Sequence, residues 1–149
     1  MTPGTASPGC CNLPVRSVRR HAALLHGDFW TGNVLWRDGE IAAVLDWEDA
    51  LLGDPLMDLA KCRLEIAASH GDNAMTWFTD AYRNSSPDTD FLRLPWWDLA
   101  MALRMESKVG SWNLPIEEET RFRRTAGLFA RRAIQECLTR LAPDDSSVK

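Results

Sequence analysis

No stretch of this 149-residue sequence approaches the ~20 apolar residues that a membrane helix requires. Arg19-Arg20 is followed by only four apolar residues before His26, too few for a signal-peptide core. There is no basic excess either. The net charge of −4 leaves no cationic stripe, which argues against nucleic acid as a partner, and with no apolar run of membrane length no membrane partner is expected either. The four cysteines, at positions 10, 11, 62 and 137, form no C-x-x-C, so a metal or disulfide role is not expected. A reducing, cytoplasmic setting follows as the expectation. Lysine is scarce: Lys61, Lys108 and Lys149 are the only ones, and none follows a strand pattern. Nor is there a G-x-G-x-x-G. What remains is ordinary for one globular domain. Hydrophobic residues make up 45%, and a chain of this length buries about 68–70% of its unfolded surface.

Against that background one segment stands out. His26-Gly27-Asp28-Phe29-Trp30-Thr31-Gly32-Asn33, with Leu45-Asp46-Trp47 after it, sets an Asn five residues beyond an Asp and a second Asp eighteen residues beyond the first. Phosphoryl transfer from ATP uses that set: a carboxylate to orient or deprotonate the acceptor hydroxyl, and oxygen ligands for Mg²⁺. The order and spacing resemble H-R-D-x-x-x-x-N followed by D-F-G in kinases. Asp38-Gly39 suits a type I′ turn joining residues 34–37 to residues 40–45. Closing it pairs Arg37 with Glu40, Trp36 with Ile41 and Asn33 with Val44. Val34, Trp36, Ile41, Ala43 and Leu45 then form a core face. Asn33 and Asp46 become diagonal neighbours roughly 7–8 Å apart on the other face, able to converge on a hard cation. Taken singly, Asp28, Asn33 and Asp46 also read as ordinary turn and cap residues. His26 reads as a structural member of the loop, and His21 and His70 as surface residues.

Two departures from the protein-kinase pattern narrow the class. Gly27 stands where the Arg would be. Only the six residues Trp47 to Leu52 separate Asp46 from Gly53-Asp54-Pro55, leaving no room for an activation segment or an A-P-E motif. With Gly53-Asp54-Pro55-Leu56-Met57-Asp58-Leu59-Ala60 included, the stretch from Leu24 to Glu65 strongly resembles the aminoglycoside phosphotransferase family, whose members are small-molecule kinases with a protein-kinase-like fold. The resemblance implies that Asp28 is the catalytic aspartate, that Asn33 and Asp46 are Mg²⁺ ligands, and that Asp58 braces the catalytic loop. Trp47-Glu48 stands in place of Phe-Gly. Substrates across that family are diverse, so the resemblance does not fix the acceptor. Without it, Asp54 is a helix N-cap ahead of Pro55, and Asp58 a first-turn acid favoured by the helix dipole.

In both kinds of kinase a separate small lobe grips ATP with a glycine-rich turn and a lysine. That lobe needs on the order of 65 residues, and only 25 precede His26. The nucleotide-gripping lobe is therefore expected to be missing. Residues 1–20 read as a disordered Pro/Gly-rich segment, residues 21–141 as a kinase-like C-terminal lobe, and residues 142–149 as a polar tail. Within the lobe the catalytic loop is 26–33, the metal-binding hairpin 33–46, and the helices 55–141. They are expected at Pro55–Ser69, Asn73–Tyr82 (carrying Met75, Trp77 and Phe78), Pro95–Val109 and from Pro115 onward. The last keeps Phe122, Ala126, Phe129, Ala130, Ala133 and Cys137 on one face. Trp96, Trp97 and Trp112 read as core, with a pocket-lining role as the alternative. The acidic run Glu117 to Glu119 reads as a solvated helix start, with a face toward a cationic substrate as the alternative. The fold class is α+β. The expected function is transfer of the ATP γ-phosphate to a hydroxyl of a small molecule, a cationic one among the candidates, with Mg²⁺ as cofactor. The lacking lobe would come from elsewhere in a longer chain or from a second subunit. The competing reading is a catalytically silent remnant that serves as a binding module.

Overall fold

The computed structural model describes residues 22–141; the expectations for residues 1–20, for Cys10, Cys11 and His21, and for the tail 142–149 lie outside it. The order of elements is β1 (Ala23–Leu25), β2 (Val34–Arg37), β3 (Glu40–Val44), β4 (Leu51–Gly53), α1 (Leu56–His70), α2 (Asp72–Ser85), α3 (Leu94–Lys108) and α4 (Ile116–Leu141), with short 3₁₀ turns at Thr31–Asn33, Phe91–Arg93 and Val109–Ser111. The architecture is a mainly helical α+β lobe in which two small antiparallel ribbons ride on four helices.

The helical part follows from local signals. Pro55 and Pro95 sit where the missing N–H costs nothing, and Gly71, at φ 87°, ends α1 in a conformation that favours glycine. α1 is buried on nearly every side. Leu56, Leu59, Ala60, Leu64, Ala67 and Ala68 are all within the core, and Cys62 with them. A helix covered all round is the centre of its layer rather than its surface. α2, α3 and α4 pack against it, and Met75, Met101, Met105, Phe122, Ala126 and Phe129 complete the core. Ala133 and Cys137 continue the buried stripe of α4 as its periodicity predicts. On α2, Met75 is buried and Phe78 half-buried, whereas Trp77 points to solvent. Burial pushes the Cys62 thiol up to about 12, so it behaves as an inert core group.

The ribbons depart from the sequence expectation in two ways. Asp38 and Gly39 both take positive φ (52° and 83°), as a type I′ turn demands, and Arg37 pairs with Glu40 and Trp36 with Ile41. Beyond that the register slips by one. Leu35 pairs with Ala43 and Val34 with Val44, so Ala42 bulges out and the expected Asn33–Val44 pair does not form. The expected core face is not a core face either. Trp36 is 63% and Ile41 56% exposed, and only Val34 and Ala43 are half-covered, because among the described residues no layer packs over that side of the ribbon. The second ribbon, β1 with β4, joins Ala23 to Gly53, Leu24 to Leu52 and Leu25 to Leu51. It closes the chain around the loop that begins at His26.

One buried ion pair locks the helices together. Arg63 on α1 grips both oxygens of Asp98 on α3, at 3.2 and 3.1 Å, and donates to Thr79 of α2 at 2.6 Å. Desolvation outweighs the pull of Arg63 and raises the Asp98 carboxyl from 3.8 to about 6. A folded state that holds the proton more tightly than the unfolded chain loses stability as pH rises. The part of the stability linked to the Asp98 proton is whole below 3.8 and is lost by the time pH passes about 6, leaving the ion pair itself. In urea denaturation between pH 4 and 7.5, the stability of wild type relative to Asp98→Asn is therefore expected to fall as pH increases. A difference that stays flat or grows would count against this assignment.

Candidate active site

The segment His26 to Asn33 forms an irregular loop ending in a 3₁₀ turn, and its shape is imposed by partners distant in sequence. Asp58, in the first turn of α1, accepts from the backbone N–H of His26 at 2.6 Å and from that of Gly27 at 2.9 Å. One carboxylate thus satisfies two consecutive amides that no strand partner reaches. Gly27 takes φ 81°, and a Cβ there would run into the carbonyl oxygen of Asp49, so glycine is required on both counts. Arg104 of α3 adds a third tie, donating to the Gly27 carbonyl and to Asp49, each at 3.1 Å.

His26 is buried and structural. Its Nε2 donates to the Leu45 carbonyl at 2.7 Å, and its Nδ1 accepts from the Asp28 N–H at 3.3 Å. That bonding pattern fixes the Nε2–H tautomer. The imidazole also lies 4.7 Å from the Trp47 ring, so it staples the loop to the segment that follows β3.

Asp28 is half-buried, with its carboxylate 3.3 Å from Nζ of Lys61. Lys61 lies one turn beyond Asp58 on α1 and is held at 2.6 Å by Glu65. α1 therefore fixes both the backbone of the loop, through Asp58, and the side chain of Asp28, through Lys61. Sequence reading passed over Lys61 and Glu65. A Lys–Glu pair at i,i+4 is common on solvated helix faces, and only the all-round burial of α1 turns it inward.

Asn33 is buried and donates Nδ2–H to the Asp28 carbonyl at 3.0 Å, which leaves Oδ1 as its available acceptor. Because of the bulge, Asn33 lies opposite Leu45, whose N–H donates to its carbonyl at 2.8 Å. The diagonal relation expected from an unbroken ladder is replaced by a bend in the chain. Asp46 follows directly, exposed and in the left-handed region at φ 63°, a conformation that costs an aspartate on the order of 1 kcal/mol. An amide oxygen and a carboxylate fit a hard cation that keeps most of its water or shares phosphate oxygens. Among the described residues no three His, Cys, Asp or Glu cluster into a self-sufficient metal cage.

Asp54 has its own structural role. It accepts from the Leu56 N–H at 3.1 Å, pairs with Arg93 at 3.1 Å and accepts from the Trp97 indole at 3.0 Å. Trp96 is exposed and Trp97 is tied to Asp54, so of the three tryptophans it is Trp112 that lines a pocket. That cavity, about 480 Å³, opens beside Asp28 and runs between α1, the end of α3 and the start of α4. Glu118 lines it, while Glu119 pairs with Arg123 at 2.7 Å and Glu117 is solvated. Trp30 and Arg104 line it too, and no local sequence signal marked either.

A family model described as "Phosphotransferase enzyme family" matches residues 12–94, more than half of the chain. Viomycin phosphotransferase from Streptomyces vinaceus is 40% identical over 58 residues, a stretch that is 36% of this chain and 19% of that protein. The chain thus spans well under two thirds of that relative. No solved structure matches.

Replacing Asp58 by Ala removes the acceptor of two amide bonds and should cost about 3 kcal/mol, at one to two for each charge-assisted bond. Urea denaturation measures the loss. Backbone NMR of the variant should show the His26 and Gly27 amide protons shifted upfield; unchanged amides would show that Asp58 does not hold the loop.

Proposed function

We propose that this chain, which belongs to the phosphotransferase enzyme family, is the acceptor-binding and metal-holding part of an ATP-dependent small-molecule kinase. The observation that carries the reading is Asp28. It sits on a loop held from two helices, at the mouth of a cavity large enough for a small molecule. In this reading Asp28 orients the acceptor hydroxyl and receives its proton as the γ-phosphoryl group is transferred. Asn33 and Asp46 would be the residues that hold Mg²⁺, which would supply positive charge to phosphate oxygens.

A nucleotide-gripping lobe completes the cleft, from a longer parent chain or a second subunit. The exposed apolar surface of the two ribbons supports this. Leu24, Trp36, Ile41 and Leu52 are all more than half exposed, a concentration of apolar side chains that a partner surface would cover. The runner-up, a silent binding module, uses the same cavity without transfer.

Positioning and electrostatic stabilisation by such a lobe are each worth factors of thousands in rate. The 149-residue chain alone is therefore expected to give no ATP-dependent phosphorylation above background. Its nucleotide dissociation constant should be no better than about millimolar. Supplying the N-terminal lobe of a relative should restore turnover that Asp28→Asn abolishes. Failure to restore it would favour the silent module.

Metal binding is testable without turnover. Mn²⁺ added to the isolated chain should broaden the NMR signals around Asn33 and Asp46 at millimolar concentration, as suits two oxygen donors. Equal broadening in Asp46→Asn would remove Asp46 from the site.

A further inference from the structure

The cavity beside Asp28 has two electrical poles. We infer that its acceptor is a zwitterionic hydroxyl compound of amino-acid or short-peptide character, with a cationic and an anionic group on the same molecule, and not a polycation. This rests on the phosphotransferase reading of the site and names the acceptor class within it.

The charges around the cavity do not simply cancel in place. Arg104 and Asp49 satisfy each other at 3.1 Å. Lys61 is shared by Asp28, at 3.3 Å, and Glu65, at 2.6 Å, so this trio, buried but for Asp28, keeps one net negative charge beside the loop and α1. From the α3 and α4 side of the lining, Lys108 ends α3 and Arg121 lies in the second turn of α4. Neither makes an ion pair among the described residues. Glu118 is also unpaired there, so that side keeps one net positive charge. Trp112, in the connection from α3 to α4, lends the cavity an apolar face with Lys61 Nζ 5.6 Å from its ring centre.

A ligand ammonium gains at the Asp28–Lys61–Glu65 end, and a ligand carboxylate gains at Lys108 and Arg121. A polycation gains the first and meets the two free cations at the other end. Charge complementarity of this kind decides between ligands of equal size more than it sets raw affinity. The volume of about 480 Å³ exceeds a single amino acid and suits a dipeptide or a comparable derivative.

Four dipeptide probes of one shape isolate the two poles: glycyl-serine, its C-terminal amide (cation only), its N-acetyl form (anion only) and the doubly blocked neutral form. Kanamycin serves as the polycation. Isothermal titration against the 149-residue chain reads each affinity without nucleotide. Glycyl-serine is expected to bind about tenfold more tightly than either singly blocked form. Lys108→Glu combined with Arg121→Glu, two exposed positions, should remove that advantage and raise affinity for the amide. Circular dichroism checks that the double variant stays folded. Kanamycin binding more tightly than glycyl-serine, four equal dipeptide affinities, or no binding by any probe at 10 mM would each overturn the inference. Transfer assays on the lobe-completed enzyme keep the two readings apart. Phosphorylation of kanamycin but not of the dipeptide would preserve the kinase and overturn the acceptor class. The dipeptide preference without any transfer would do the reverse.

Discussion

Asp58 reaches from the first turn of α1 to the backbone amides of His26 and Gly27, and the geometry of the site depends on that reach. A loop that turns a carboxylate toward a cavity must leave the hydrogen-bonding pattern of a strand, and its amides then need acceptors. Asp58 supplies both from an element that is itself immobilised, since α1 is packed by three other helices. The left-handed Gly27 and the Asp49 carbonyl beside it follow from the same constraint, because the chain has to double back within one residue. Arg104 holds that reversal from the α3 side. The loop is thus fixed by its backbone, and the Asp28 carboxylate, half-buried beside Lys61, borders the cavity.

α1 also carries the less expected feature, a buried Lys61–Glu65 pair in contact with Asp28. Buried charges are costly unless each has partners, and a Lys with a carboxylate on either side meets that condition. The arrangement places a cation next to the Asp28 carboxylate from inside the fold. The second buried pair starts from the same helix, where Arg63 lies a half-turn away and reaches Asp98 of α3 and Thr79 of α2 instead. One helix therefore uses its polar positions in two directions, toward the site and toward the helical core.

What could be read from the residues alone divides along the same physical lines. The helices were legible because Pro55, Gly71, Pro95 and the 3.6-residue stripe of α4 are local signals that tertiary packing reinforces. The type I′ turn was legible for the same reason, since Asp38-Gly39 dictates φ directly. The family was legible because the loop, the hairpin and the segment from Gly53 to Ala60 occur together. The bulge at Ala42 carries no local mark, and one extra residue was enough to move Asn33 from Val44 to Leu45. The β1–β4 ribbon was missed because three-residue strands pairing across the loop leave no periodicity to count. Lys61, Glu65 and Arg104 belong to the site through helix packing, which spacing along one helix cannot reveal.

The two halves of the site are therefore held with unequal firmness. Asp28 is tied through backbone and side chain to buried helices, whereas Asp46 stands exposed at the end of a bulged two-stranded ribbon, a unit that is marginal without further packing. Trp36 and Ile41, which would anchor such a ribbon to a neighbour, face outward. Under the proposed function this asymmetry has a consequence for catalysis. The acceptor side of the cleft is preorganised by this chain, but the metal side reaches its working geometry only when something packs on the ribbons and brings the phosphates with it. Covering the apolar face and completing the metal's coordination would then be one event. Nucleotide binding and lobe docking are coupled in that case, each strengthening the other by the same free energy.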